Sequence, residues 1–382
     1  MNVVVFAAEA KGLSSLNSVA FELNKRGHNL FFMYSQTTQL AYPTMNPNSF
    51  ERATNVDSNE NVWSDTLGCN LPFKPDWLII NREKWPPENQ IIMEFKQKFN
   101  CKVGLVEANS FLANGVEGFL ENLSRNNFVP FIDAYFVHSS FSKQQKTLLN
   151  FKGNDVVVGN PKYDLNLNVD QETLEYAKNF YGVDNDRETV LYYTLINSNR
   201  KQLFEQFEKY KKENPDKQYF IKPYPGEPFN PLFKNDYFPK FFMDGVTPIL
   251  EETMIWPMVQ LCDVHVGAMS SVFYGPLKLN KTVIDFSSEI GWREKMSDPT
   301  AVLQSDGSGV ETKVDWVSVL GLNNKFELEQ LLKKENIDYI SQNNNFYWNV
   351  VDSGTRNELL KIFDDFNDGQ ACVRIVDYLE TN

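Results

Sequence analysis

The apolar residues of this chain fall into short unbroken runs, with helical periodicity between them. Val3-Val4-Val5-Phe6-Ala7-Ala8 is the first run. It is continuous rather than alternating, the pattern of a strand buried on both faces of a parallel sheet. Beyond the turn at Glu9 to Gly12, Leu16, Val19, Ala20 and Leu23 recur at helical spacing; Ser14 or Ser15 can cap this helix and Gly27 ends it. Leu30-Phe31-Phe32-Met33-Tyr34 is the next strand. The first 35 residues therefore read as a β-α-β unit. It lacks the Gly-x-Gly-x-x-Gly fingerprint, so a dinucleotide is not expected at this end.

Residues 41–75 show little periodicity and read as an irregular insertion. Short apolar strands resume at Trp77–Ile80, Val103–Val106, Ala134–Val137 and Val156–Val158, with a helix around Glu94 to Lys98 between the first two. Gly159-Asn160-Pro161 breaks this series. Residues 166–187 are polar and form the expected linker, with one helical segment near Glu172 to Phe180. A second series opens at Thr189–Thr194. A helix bearing Leu203, Phe207 and Tyr210 on one face follows, then the strand Tyr219-Phe220-Ile221 ending on Lys222. Phe241-Phe242-Met243 reads as a brief strand. Pro248 is placed in the first turn of a helix from Ile249 to Leu261, which Pro257 would kink or divide. Further strands are expected at Asp263–Val266 and Thr282–Phe286. The pattern weakens over 287–350, and an amphipathic helix closes the chain with Cys372, Ile375, Val376 and Leu379 on one face. Strands alternating with helices predict an α/β protein built on doubly wound parallel sheets.

Composition narrows the classes of function. The chain has 382 residues, enough for two domains, with 42% hydrophobic and 23% charged residues, as in soluble globular proteins. Its net charge of −13 argues against a partner held by phosphate neutralisation, so no nucleic acid is expected. A nucleotide site needs only one or two local cations and oriented amides, and stays open. Cys69, Cys101, Cys262 and Cys372 are scattered without a Cys-x-x-Cys pair, and only three histidines exist, so no metal site is expected. Free thiols, no leader-like N-terminus and no apolar run of about 18 residues point to the cytoplasm. A membrane-borne acceptor would be met from the surface. Oligomeric state is not readable.

Ligands of doubly wound sheets bind beyond the carboxyl ends of the strands. In the second half those ends carry Thr194 and Asn197, Lys222, and the turn Gly267-Ala268-Met269 followed by Ser270 and Ser271. A lysine at one strand end and hydroxyls at a helix start at another could clamp a diphosphate. The plain alternative is a strand–turn–helix corner, with a serine cap and a solvated lysine. In the first half, Glu9, Glu107, Asp133 and His138 are candidates to take a proton from an acceptor hydroxyl. Glu9 leads because it lies in the turn after the first strand. His265, between valines, reads as structural, and Asp184-Asn185-Asp186 as a chance Asp-x-Asp in the linker.

Seven short segments, in order, carry a family resemblance. Lys25-Arg26-Gly27-His28 is similar to the Arg-Gly-His step of many nucleotide-sugar transferases. Val106-Glu107-Ala108 resembles the Glu-Ala-Gly segment of epimerases, with Asn109 in place of the glycine. Phe136–Ser140 and Val158–Pro161 follow at the family's order. Lys222-Pro223-Tyr224-Pro225 is similar to a Lys-Pro-His-Pro turn, with Tyr224 for the histidine. Ser270-Ser271-Val272 resembles the serine pair that closes the phosphate site, and Gly369–Ile375 the Asp-Gly-x-Ala-x-x-Arg-Ile terminal helix. Together they resemble the GT-B glycosyltransferase superfamily, in the branch of UDP-N-acetylglucosamine 2-epimerases and CDP-glycerol glycerophosphotransferases.

The resemblance implies two doubly wound Rossmann-like domains facing a cleft. Residues 1–165 would form the acceptor domain, 166–187 the linker, 188–365 the nucleotide-sugar domain and 366–382 a helix packing back on the first domain. It implies a metal-independent glycosyltransferase that needs no cofactor beyond its donor, expected to be a UDP- or GDP-sugar, with a glycan or other hydroxyl acceptor. Tyr224 would join the phosphate site, and Val246, Thr247 and Pro248 would hold the base through main-chain groups. Two departures stand out. Leu195-Ile196-Asn197 occupies the place of the epimerases' histidine and arginine, and Phe273-Tyr274-Gly275 that of a ribose-binding glutamate. A sugar-nucleotide epimerase and a non-catalytic nucleotide- or carbohydrate-binding protein are the alternatives.

Overall fold

The structure, a computed structural model, describes residues 1–7, 10–35, 52–56, 71–81, 86–107, 129–140, 142–143, 153–194, 200–223, 245–250, 254–267, 271–286, 303–305, 311–313, 360–361 and 364–382. These divide into two units. The described residues of Met1–Ser110, Asn122–Asn166 and Lys361–Asn382 form the first, and those of Leu167–Leu360 the second.

The first unit carries strands β1 (Asn2–Ala7), β2 (Asn29–Ser35), β3 (Arg52–Val56), β4 (Trp77–Ile80), β5 (Lys102–Val106), β6 (Ala134–Val137) and β7 (Asp155–Val157). They form one parallel sheet in the order β3-β2-β1-β4-β5-β6-β7. Its register is set at the centre, where Val3 pairs with Leu30 on one side and Trp77 on the other. The two faces bury different residues, because successive side chains of a strand point to opposite sides. Val3, Val5, Trp77 and Ile79 pack under Leu16, Val19, Ala20 and Leu23 of α1 (Ala10–Lys25). Val4, Phe6, Leu78 and Ile80 pack under Ile91, Ile92 and Phe95 of α2 (Pro86–Phe99). A short helix, α3 (Lys162–Asn166), follows β7. β3 is a correction to the sequence reading: it lies inside 41–75, where an irregular insertion is expected. Its sequence, Arg-Ala-Thr-Asn-Val, lacks the apolar run of a central strand, and it sits at the sheet's edge.

The second unit begins with α4 (Gln171–Tyr181), capped by Asp170, whose side chain accepts from the Thr173 amide at 2.7 Å, and ended by Gly182 in the left-handed region. β8 (Thr189–Tyr193), α5 (Arg200–Glu213), β9 (Gln218–Lys222), β10 (Val246–Pro248), α6 (Ile255–Leu261), β11 (Val264–Gly267), α7 (Tyr274–Lys278) and β12 (Thr282–Asp285) follow. The parallel sheet has the order β10-β9-β8-β11-β12. β13 (Leu303–Ser305) and β14 (Glu311–Lys313) make a separate antiparallel pair. Two proline expectations are corrected. Pro248 does not start a helix but ends the edge strand β10, where a missing N–H costs no ladder bond. Pro257 does not divide the helix, since α6 starts only at Ile255 and its first turn tolerates proline. The strand expected at Phe241–Met243 lies outside the described residues.

The last helix, α8 (Ala371–Thr381), belongs to the first unit and buries Cys372, Ile375, Val376 and Leu379 with the α1 face of the sheet. It has no cap of its own. Asp164 serves instead, its carboxylate accepting the Cys372 amide at 2.6 Å. Burial pushes the Asp164 carboxyl above its ordinary range, and the bonds from Cys372 pull against that. Gly159 lies beneath the start of α8 at φ +94°; a Cβ there would stand 2.9 Å from Asp364 Oδ1. Arg26 ties α1 to α8, with Asp377 at 2.6 Å and Glu380 at 2.9 Å. Among the described residues no helix is long and apolar enough to cross a membrane.

Candidate functional site

The second sheet contains a switch point. From β8 the chain enters α5, whose Leu203 and Phe207 pack with Val190, Tyr192, Val264 and Val266. The Tyr192 and Phe207 rings stack at 4.2 Å. From β11 the chain turns into the 3₁₀ segment Ser271–Phe273 and then α7. Phe273 packs edge-on against Tyr193, which the pleat points to the opposite face. The two connections thus leave by opposite faces, and the carboxyl ends of β8 and β11 flank the crevice between them.

Across that carboxyl edge the residues run Pro248, Lys222, Thr194 and Gly267. Thr194 and Lys222 are joined by the main chain, Thr194 N donating to Lys222 O at 3.1 Å. Both are 7% exposed. Lys222 Nζ donates to Pro223 O at 2.8 Å, which turns the ammonium back over the strand end. An ammonium has three donors, so this bond is compatible with phosphate contacts. Val246 and Thr247 are half-buried on β10, paired with Tyr219 and Phe220. Gly267 is confined: an added Cβ would stand 3.2 Å from Phe273 Cζ and 3.4 Å from Tyr193 O. Ser271 opens the 3₁₀ segment. It is not the cap of α7, whose N-cap is Phe273 and which is only five residues long, so the helix dipole there is small. Asn197, Tyr224 and Ser270 lie outside the described residues.

Behind this edge sits a polar pair. The Tyr193 hydroxyl and His265 Nδ1 share a hydrogen bond at 2.8 Å. Burial, and then the positive charge of Lys281, push the His265 pKa down to about 3, so the ring is neutral. It is a fully buried core residue.

In the first unit, Glu107 and His138 fall on adjacent strand ends and bind each other. His138 Nε2 lies 2.7 Å from Glu107 O, and the His138 amide donates to Glu107 Oε2 at 3.1 Å. Ser142 Oγ donates to both carboxylate oxygens, at 2.9 and 3.0 Å. With Nε2 carrying the proton, Nδ1 is left to accept from Asn160 Nδ2 at 3.4 Å. The carboxylate and imidazole are 3% and 1% exposed. This arrangement fits positioning of the two strand ends better than proton transfer to a ligand. Glu9 lies outside the described residues. Asp133, another candidate, sits at the amino end of β6, bound to Lys96 at 2.5 Å and to the Val103 amide at 2.7 Å. That is the wrong end of the sheet for a ligand.

Among the described residues no group of three or more His, Cys, Asp or Glu could hold a metal. Cys101, Cys262 and Cys372 are free and buried.

No family model and no curated protein matches the chain. Solved structures do. The UDP-GlcNAc 2-epimerase of Neisseria meningitidis, bound to UDP-GlcNAc, aligns over 100% of both chains with a TM-score of 0.59 at 14% identity. The S. aureus MnaA–UDP structure aligns over 100% of this chain and 96% of its own, with a TM-score of 0.56 at 14% identity. The wall teichoic acid polymerase TagF aligns over 99% of this chain and 88% of its own, with a TM-score of 0.55 at 14% identity. At such identity the likeness speaks for architecture alone: the chain is built of two Rossmann-like α/β units with the GT-B fold that these proteins share.

Proposed function

We propose that this protein is a nucleotide-sugar-dependent glycosyltransferase whose donor binds at the carboxyl edge of β8, β9 and β11. The observation that carries this reading is the junction of Thr194 with Lys222, a hydroxyl and a cation on neighbouring strand ends at the switch point. In this reading Lys222 offsets the charge that develops on the departing diphosphate. Thr194, Asn197, Ser270 and Ser271 donate hydrogen bonds to it, and Tyr224 joins the same phosphate site. Val246, Thr247 and Pro248 meet the base. An acceptor hydroxyl attacks the anomeric carbon, the carbon–oxygen bond to the diphosphate breaks, and the bonding pair leaves with the diphosphate. Glu9 takes the hydroxyl proton; Glu107 and His138 hold the strand ends in place. Protein donors serve the diphosphate, so the reaction needs no metal. The donor is a UDP- or GDP-sugar, the acceptor a glycan, and the setting the cytoplasm.

A second reading, a sugar-nucleotide epimerase, is favoured by the full-length likeness to the Neisseria enzyme. Product formed from the donor alone would select it. A thermal-shift screen with UDP, GDP, CDP and their sugars tests both readings. A bound diphosphate raises the melting temperature by mass action. No shift with any of them at millimolar concentration removes both.

A further inference from the structure

The first sheet has its own switch point, between β1 and β4. From β1 the chain enters α1, which packs with Val3, Val5, Trp77 and Ile79. Between β4 and β5 it passes through α2, which packs with Val4, Phe6, Leu78 and Ile80 on the other face. The helices leave by opposite faces, and the carboxyl ends of β1 and β4 are thus the switch-point position at which doubly wound sheets take their ligands. Asn81 is the first residue past β4. It is 2% exposed, and neither its Oδ1 nor its Nδ2 has a hydrogen-bond partner among the described residues.

A buried amide with both ends unpaired is rare in native structures, and each such case asks for a cause. Folding would favour an apolar residue of similar size here, since that would strand no polar atoms. We infer that the partner of Asn81 is a ligand, and that the amide recognises a vicinal pair of hydroxyls on a sugar acceptor. The carboxamide presents one acceptor and one donor side by side. A vicinal diol returns one donor and one acceptor at matching positions. A phosphate or carboxylate satisfies only Nδ2, and an apolar group neither end. Asn81 is then a specificity-determining residue for the acceptor. A site that spends buried polar groups on substrate hydroxyls rejects the deoxy analogue strongly, because the amide is left unpaired again. This inference rests on the glycosyltransferase reading and names the acceptor chemistry within it.

The test has two arms. In the first, ligand-free Asn81→Leu and Asn81→Ala are melted beside the native protein. At least one should melt at or above the native temperature. If both melt several degrees lower, or neither folds, the amide is already paired without ligand and the inference is overturned. In the second, saturation-transfer NMR is run with methyl glycosides of glucose, galactose, mannose and N-acetylglucosamine, and with short oligomers of each. The native protein should bind at least one diol-bearing glycan, lose it with the matching deoxy sugar, and bind it at least tenfold more weakly as whichever variant folds. Equal binding by that variant, equal binding of the deoxy sugar, or no glycan bound at all overturns it. A nucleoside diphosphate shift on the native protein separates the two failures. A shift without glycan binding sinks the Asn81 assignment alone; no shift sinks the transferase reading.

Discussion

The ring of His138 is held by the main chain of Glu107, with Nε2 2.7 Å from the Glu107 carbonyl, while the Glu107 carboxylate takes the His138 amide at 3.1 Å. Each residue thus fixes the other's backbone, and Ser142 adds a third member through its hydroxyl. Glu107→Ala should therefore act on stability. It removes the carboxylate that accepts from the Ser142 hydroxyl and the His138 amide, at a cost of about 1–3 kcal/mol. Glu107→Gln keeps one acceptor and should lose less. Urea unfolding measures both, and an unchanged midpoint for Glu107→Ala would show that the network holds nothing.

Acid should weaken the second unit through His265. The folded chain keeps the ring neutral down to about pH 3, whereas an unfolded histidine protonates near 6.5. Between those values the unfolded chain binds one more proton, so stability falls as the pH falls. The slope is at most about 1.4 kcal/mol per pH unit from this group. The contribution is fully present above about pH 6.5 and lost progressively below it. The double substitution Tyr193→Phe/His265→Leu removes both members of the pair, and should flatten this part of the curve between pH 4 and 7. An identical slope in native and double variant would assign the acid sensitivity elsewhere.

Lys222→Ala should weaken nucleoside diphosphate binding without unfolding the protein. A charge-assisted hydrogen bond contributes about 1.5–3 kcal/mol, roughly ten- to hundredfold in affinity. Titration calorimetry with the diphosphate that gives the largest thermal shift reads the effect. Unchanged affinity takes Lys222 out of the donor site.

The terminal helix should matter as much as any central strand. Ile375 is fully buried against α1 and the sheet, and Ile375→Ala should cost about 2–5 kcal/mol. Arg26→Ala breaks the partly exposed pairs to Asp377 and Glu380 and should cost less, about 1 kcal/mol, falling as salt is added. A loss for Arg26→Ala as large as that for Ile375→Ala would mean that charge, not packing, holds α8.

Val3–Ala7, Trp77–Ile80 and Ala134–Val137 announce themselves, because a strand covered on both faces must be apolar at every position. Helical spacing was equally plain in Leu16–Leu23 and in Cys372–Leu379. Hence the parallel α/β architecture was legible from the chain alone. β3 and β10 were not, for an edge strand needs neither a continuous apolar run nor a full set of amide donors, and Pro248 could end one while looking like a helix start. The apolar runs alone place Lys222 and Thr194 at strand ends. Their adjacency came only with the strand order β9-β8-β11, a long-range pairing that no local pattern encodes. The same holds for Glu107 with His138, and for Asp164 with Cys372, 208 positions apart. Asn81 marks the boundary most clearly. The sequence reading passes over it, because whether its amide finds a partner depends on what other elements bring near it. Local sequence sets periodicity and caps because those forces act within a few residues; burial and hydrogen-bond partnership are settled by contacts that exist only once the sheet has closed.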